Sequence, residues 1–357
     1  MLDDSLIYRG SSPFQEWAYS HAAHYFYERG IRRYGLSKDG NPYAHLLHPD
    51  DSGRNFLAPG IAAALAERFD RHRAGDRARA ETNTVASQTC CFNLFVPLAR
   101  DLGLASAVIG DLIGGPVSVD HVELEFTPNQ LADLPGYELR GRDESLGDQS
   151  GSGGTDADVA VFYRAGGERG VLVVEVKYLE SAFSTCKSYR SKSVERKLLL
   201  QPLCDSAAFT AVVTEPRRDD RGRLLCGYAK YDNWELTRAS VALDWEKIAR
   251  LPGCPFAGSA QQLWRNLLLA ENVARQRRLA DFQLWAIAPK KNEPLWNESG
   301  GHVFQDFARL LRTDQPSHVR WLDMELVLET IEARLPLDDA RRQWWTGAFR
   351  QRYLAAT

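Results

Sequence analysis

No two cysteines in this chain stand in C-x-x-C spacing. The six of them, Cys90, Cys91, Cys186, Cys204, Cys226 and Cys254, are scattered through 357 residues. That excludes zinc-finger spacing and a disulfide miniprotein, and sparse, unpatterned cysteine suits a reducing compartment. Long apolar runs are missing as well. The most apolar stretch, 171–174, is far short of a membrane span, and the opening MLDDSLIYRG is acidic, without the apolar centre of a secretion signal. The expectation is a cytoplasmic chain with no membrane partner. Charge of one sign is not in excess either. Lys plus Arg is 44 and Asp plus Glu is 47, a net −3, which argues against a basic-coated nucleic-acid packager but not against a local basic cleft. Repeats, Pro/Ser linkers and P-loop or Rossmann fingerprints are absent.

What is present is ordinary globular material: 44% hydrophobic and 25% charged residues, enough for a sizeable core. Residues 1–110 read mostly as helix, with apolar residues at three- and four-residue spacing in PFQEWAYSHAAHYFYERG, PGIAAALAERFDRHRAG and TVASQTCCFNLFVPLARDLG. The character changes after Gly115. PVSVDHVELEF, DADVAVFYR and GVLVVEVKYLE have strand composition, and a polar glycine-rich loop, GRDESLGDQSGSGGT, separates the first two. Residues 184–203 read as basic and helical, 207–213 and 284–288 as short strands, GSAQQLWRNLLLAENVARQ as a long helix, and VRWLDMELVLETIEARLP and DDARRQWWTGAFRQRYL as a helical pair broken at Pro336. The fold class expected is α/β: a mixed sheet flanked by helices over 111–300, with helical additions at 1–110 and 301–357 in the same domain.

The chemistry concentrates in DADVAV, from Asp156, and VLVVEVK, ending at Lys177. Residues two apart in a strand share a face. Glu175 and Lys177 therefore lie on one side with Val173, while Leu172, Val174, Val176 and Tyr178 point to the other. Acid and base on an apolar strand are costly unless they are paired or hold a metal. If the two strands form a hairpin, Asp158 reaches the same end of the sheet. Two carboxylates and a lysine suit phosphodiester hydrolysis. Asp158 and Glu175, with the Val176 backbone carbonyl, would hold Mg²⁺ (or Mn²⁺), a hard cation that prefers oxygen ligands. Lys177 would orient the attacking water and balance charge near the phosphate. The bland alternative is a satisfied Glu–Lys pair capping a sheet.

An Asp followed on the next strand by E-V-K resembles the PD-(D/E)xK superfamily of restriction-endonuclease-like nucleases, and one bacterial branch in particular. TDADVA at 155–160 and EVKYLE at 175–180 carry the likeness. So do Ser87, Gln88, Cys91, Phe92, Asn93, Leu94, Phe95, Pro97 and Leu98 on one helix. Gln262, Leu263, Trp264, Arg265, Asn266, Leu268, Leu269 and Ala270 carry it on another. The resemblance covers roughly 80–290. It implies a restriction-endonuclease-like fold, Asp158 rather than Asp156 as the principal metal-binding aspartate, and products with 5′-phosphate and 3′-hydroxyl ends. A role in bacterial defence, with partner proteins or as a homodimer, follows by analogy alone.

Further candidates surround this trio. Asp156 is either a second metal ligand or an exposed loop acid. Glu125 is the strand acid best placed to join the site, or else a solvated one. Gln262 and Arg265 share a helix face and either reach toward the phosphate or serve the fold. Lys187, Arg190, Lys192, Arg196 and Lys197, with Tyr189 among them, form a basic stretch that would hold a DNA backbone, or simply face water. The pairs His21/His24 and His45/His48 would make a zinc site only if they met in space. The glycines of 151–154 read as a flexible approach to Asp158, and Ser150 and Ser152 lack the G-x-S-x-G context of a hydrolase. A non-catalytic nucleic-acid-binding or assembly module, and a ribonuclease, are the alternatives to a deoxyribonuclease.

Overall fold

The computed structural model describes residues 1–71, 76–127, 134–137, 156–215, 218–228, 233–298, 301–313 and 318–354. The glycine-rich loop, with Ser150, Ser152 and the 151–154 glycines, lies outside them, as does the side chain of Arg196. Five strands form the central sheet in chain order: β1 (Val117–Phe126), β2 (Ala157–Ala165), β3 (Glu168–Val176), β4 (Asp281–Ala288) and β5 (Val319–Asp323). The first three make the expected antiparallel meander, and β3, β4 and β5 run parallel. Parallel pairing demands crossover connections, and the one between β3 and β4 contains the long helix Ala260–Arg277.

Both faces of the sheet are covered, which accounts for its nearly continuous apolar strands. One face, with Val159, Val161, Leu172, Val174, Val176 and Tyr178, packs against α1 (Pro13–Glu28), α2 (Pro59–Arg71), α3 (Ser87–Arg100), α4 (Leu102–Ile113) and the C-terminal helices. The other, with Ala160, Phe162, Val171, Val173, Leu284 and Ala286, packs against residues following α5 (Val194–Cys204) and against α6 (Ala260–Arg277). The alternation expected along VLVVEVKY is therefore observed residue by residue. Glu175 and Lys177 lie on the α6 side.

Several local expectations are corrected. Residues 1–110 also contain an antiparallel hairpin, Tyr34–Leu36 with Pro42–Leu47. Residues 207–213 form no strand: Phe209–Thr214 is a short helix burying Phe209, Val212 and Val213, a spacing that suits a helix, and short apolar runs are ambiguous between the two states. VRWLD, read as helix, is β5, and the helix α7 (Met324–Arg334) starts only after Asp323. The basic segment becomes helical at Val194, not at 184. No single described helix is long and apolar enough to cross a membrane.

Candidate active site

The C-terminal end of β3 is where the charges meet. Asp158, at the start of β2, accepts a hydrogen bond from the Val176 N–H at 2.6 Å, which ties the two strand ends together. Glu175 is 3% exposed, and its carboxylate is held from three sides. Gln262 Nε2 donates to Oε1 at 2.5 Å, Asn266 Nδ2 donates to Oε2 at 2.7 Å, and Lys177 Nζ lies 2.6 Å from Oε1. Gln262 is fixed in turn because its Oε1 accepts the Ser184 N–H at 2.9 Å. Lys177 follows β3 directly, anchored by its N–H to the Ile287 carbonyl of β4 at 2.9 Å.

Glu125 stands opposite Asp158, between the pairs Leu124↔Val159 and Phe126↔Ala157. Its backbone is left-handed, φ 50°, a costly conformation for a side chain inside a strand. Buried Arg68 of α2 secures it, donating to the carbonyls of Leu124, at 2.6 Å, and of Glu125. The strand end is thus turned so that the buried Glu125 carboxyl meets Gln88 of α3.

Electrostatics follow from this convergence. Burial, then Glu175 and Glu125, raise the Asp158 pKa well above the usual carboxylate range, against the opposing pull of Lys177. Burial pushes Glu125 up to about 7, with a hydrogen bond from Gln88 opposing it and Asp156 and Glu175 adding to it. Burial works to discharge Lys177, but the negative charges of Glu175, Glu180 and Asp158 outweigh it and its pKa is raised. Glu180 is lowered despite burial, by Lys177 and by a hydrogen bond from Ser87 at 2.7 Å.

This donor set suits a hard cation. It consists of oxygen atoms on acids that repel one another, with a single lysine among them, and a divalent ion would relieve that repulsion. Among the described residues no group of three His, Cys, Asp or Glu side chains is arranged to hold a metal ion. Asp158 and Glu175 would therefore need the Val176 carbonyl and water to complete a shell. The same finding removes the zinc reading. His45 is buried against Tyr8, Tyr19 and Tyr43, His48 caps a 3-10 turn, His21 contacts the Gln351 carbonyl and His24 the Ser20 carbonyl.

Asp156 is exposed and acts on Glu125 through its charge. Arg265 lies over the Tyr228 ring, 5.6 Å from its centre. Lys187, Arg190, Lys192 and Lys197 are exposed, whereas Tyr189 is tethered by its hydroxyl to Asp205 at 2.9 Å. Sequence reasoning missed Asn266 and Glu180 as members of the site. Asn266 is four residues from Gln262 and hence on the same helix face, a signal that was there to be read. Asn93, also in the α3 motif, serves the fold: it binds the Leu57 N–H, the Asn55 carbonyl and the Tyr353 hydroxyl.

No curated protein and no solved structure matches the chain. The family match extends well beyond the 80–290 expected from the motifs, to both helical ends, but omits 203–251. A family model for the PD-(D/E)XK nuclease superfamily matches residues 12–202 and 252–355, most of the chain, and the chain belongs to that superfamily.

Proposed function

We propose that the chain is a divalent-cation-dependent nuclease that hydrolyses DNA phosphodiester bonds. The observation that carries this reading is the meeting of Asp158, Glu175 and Lys177 at one sheet end, with Gln262 and Asn266 fixing the Glu175 carboxylate. Asp158 and Glu175, with the Val176 carbonyl, would hold Mg²⁺ or Mn²⁺, and Asp156 stands nearby as a further acid. Such an ion, when bound, makes water a stronger nucleophile and offsets charge on the scissile phosphate. Lys177, kept protonated by its acidic neighbours, orients the attacking water and balances charge at the phosphate. Glu125 and Gln262 frame the pair, and Lys187, Arg190, Lys192, Arg196, Lys197 and Arg265 hold the DNA backbone. Action on RNA, and a place in a bacterial defence system with partner proteins or as a homodimer in the cytoplasm, are compatible with the same chemistry.

A second reading, a binding module that keeps the fold, rests on the Lys177–Glu175 contact, which satisfies both charges without a cation. One experiment separates the two. Supercoiled plasmid, linear duplex, single-stranded DNA and RNA are incubated with Mg²⁺, Mn²⁺ or EDTA, using the wild type, Asp158→Ala and Lys177→Ala. Metal-dependent cleavage lost in both variants supports the nuclease. Cleavage surviving both rejects the site, and no cleavage with unchanged DNA binding favours the module.

A further inference from the structure

Four cysteines that look unpatterned in the sequence gather in space. Cys226 and Cys204 lie near enough to Cys186, and Cys204 and Cys226 near enough to Cys254, to oppose ionisation of those thiols. Cys204 closes α5 and Cys254 lies in the loop that leads into α6. Between them runs 205–253, nearly coincident with the stretch the family match omits. The neck of this insertion is tight. The Cys254 N–H donates to the Cys204 carbonyl at 2.6 Å. A Cβ on Gly253 would meet that same oxygen at 2.9 Å and the Asp205 backbone at 3.4 Å, so the close approach requires glycine. The thiols of Cys204 and Cys254 lie close enough to perturb each other's ionisation, and both are partly exposed.

We propose that Cys204 and Cys254 are an oxidisable thiol pair, and that a low-molecular-weight disulfide converts them to a bond closing the neck of the 205–253 insertion. The two thiols are unequal in a way that suits exchange. Cys254 lowers the Cys204 pKa, whereas Cys204 and burial raise Cys254 well above the usual thiol range. Cys204 attacks one sulfur of the reagent and expels the other as a thiolate, which takes the Cys204 proton. Cys254 then attacks the Cys204 sulfur, expels the second thiolate and gives it its proton. Two protein thiols lose two electrons in all, and one reagent disulfide becomes two thiols.

The bond would fasten a covering that leans on the site's own helix. Trp234 of the insertion packs 4.9 Å from Trp264, the Trp264 indole donates to Thr237 at 2.8 Å, and Gln261 donates to the Tyr228 hydroxyl at 2.7 Å. Gln262 and Asn266 belong to the same helix. The inference stands apart from the nuclease reading, because its test needs no cleavage.

The full chain, reduced and then incubated with glutathione disulfide, is alkylated and analysed by mass and peptide mapping. The expected product has lost two hydrogens, carries no glutathione and links the Cys204 and Cys254 peptides. Limited proteolysis within 205–253 should slow several-fold and recover on reduction. Cys226→Ser and Cys186→Ser should form the same bond, and Cys204→Ser should not. A stable glutathione adduct on Cys204 with Cys254 still free would overturn the proposal. So would a bond that takes Cys226 instead, or four thiols blocked by one equivalent of zinc in the purified chain. If Cys204→Ser fails to fold, the wild-type map and the Cys226→Ser map decide.

Discussion

Asn266 Nδ2 donates to Glu175 Oε2 at 2.7 Å, one helical turn beyond Gln262, which holds the other oxygen. Asn266 is 2% exposed, so no bulk water can replace it. Asn266→Ala should leave a buried carboxylate oxygen without its donor and cost about 1–3 kcal/mol. Urea unfolding measures this. An unchanged midpoint would mean that the bond adds nothing to the fold. Cleavage should also fall, because Glu175 loses its fixed orientation.

Lys177 answers three acids at once. Removing its charge in Lys177→Met leaves Glu175 and its neighbours buried without a counter-charge, a loss of about 3–5 kcal/mol where one partner of a buried pair is deleted. Adding Glu175→Gln should recover part of that loss. A double variant as unstable as the sum of the singles would show that Lys177 and Glu175 do not act as a pair.

His45 supplies a pH dependence remote from the site. It is buried among Tyr8, Tyr19 and Tyr43, and desolvation lowers its pKa from 6.5 to about 4. Its folded value lies below its unfolded one. The unfolded chain therefore binds a proton here first as pH falls, and stability is present above about 6.5 and lost progressively down to about 4. The contribution is on the order of 3 kcal/mol. Thermal melting of wild type against His45→Phe across this window should show a shallower pH slope in the variant, and parallel curves would sink the assignment.

How far the sequence foretells the site depends on the range of the interaction. Asp158, Glu175 and Lys177 were legible because strand alternation and the cost of charge on an apolar strand are local facts. Gln262 was singled out for the site, and Asn266, although it stands in the same motif one helical turn on, was not, because the spacing shows that the two share a face but not that this face turns to Glu175, which packing such as Trp264 against Phe256 and Trp234 decides. Nothing in VELEF announces the left-handed turn at Glu125, because Arg68, which secures it, arrives from another helix. At 319–323 the apolar pattern runs straight into α7, and only pairing with β4 separates strand from helix. The thiol pair at 204 and 254 has no sequence spacing at all: its neck is made by tertiary packing around Gly253.

Asp158→Asn should separate the cost of the site from its use. The asparagine oxygen can still accept the Val176 N–H, which Asp158 now receives at 2.6 Å. The substitution removes an acid whose ionisation burial, Glu175 and Glu125 all disfavour. Without added metal, the variant should therefore melt no lower than wild type, and higher if the repulsion is strong. Adding Mg²⁺ should raise the wild-type melting temperature by mass action, since an ion bound only to the folded state stabilises it by about 2.7 kcal/mol at a hundred times its dissociation constant. In the variant that rise should be absent or much smaller. Equal rises in both proteins would place the ion elsewhere, and a variant that melts well below wild type without metal would show that the Asp158 charge serves the fold.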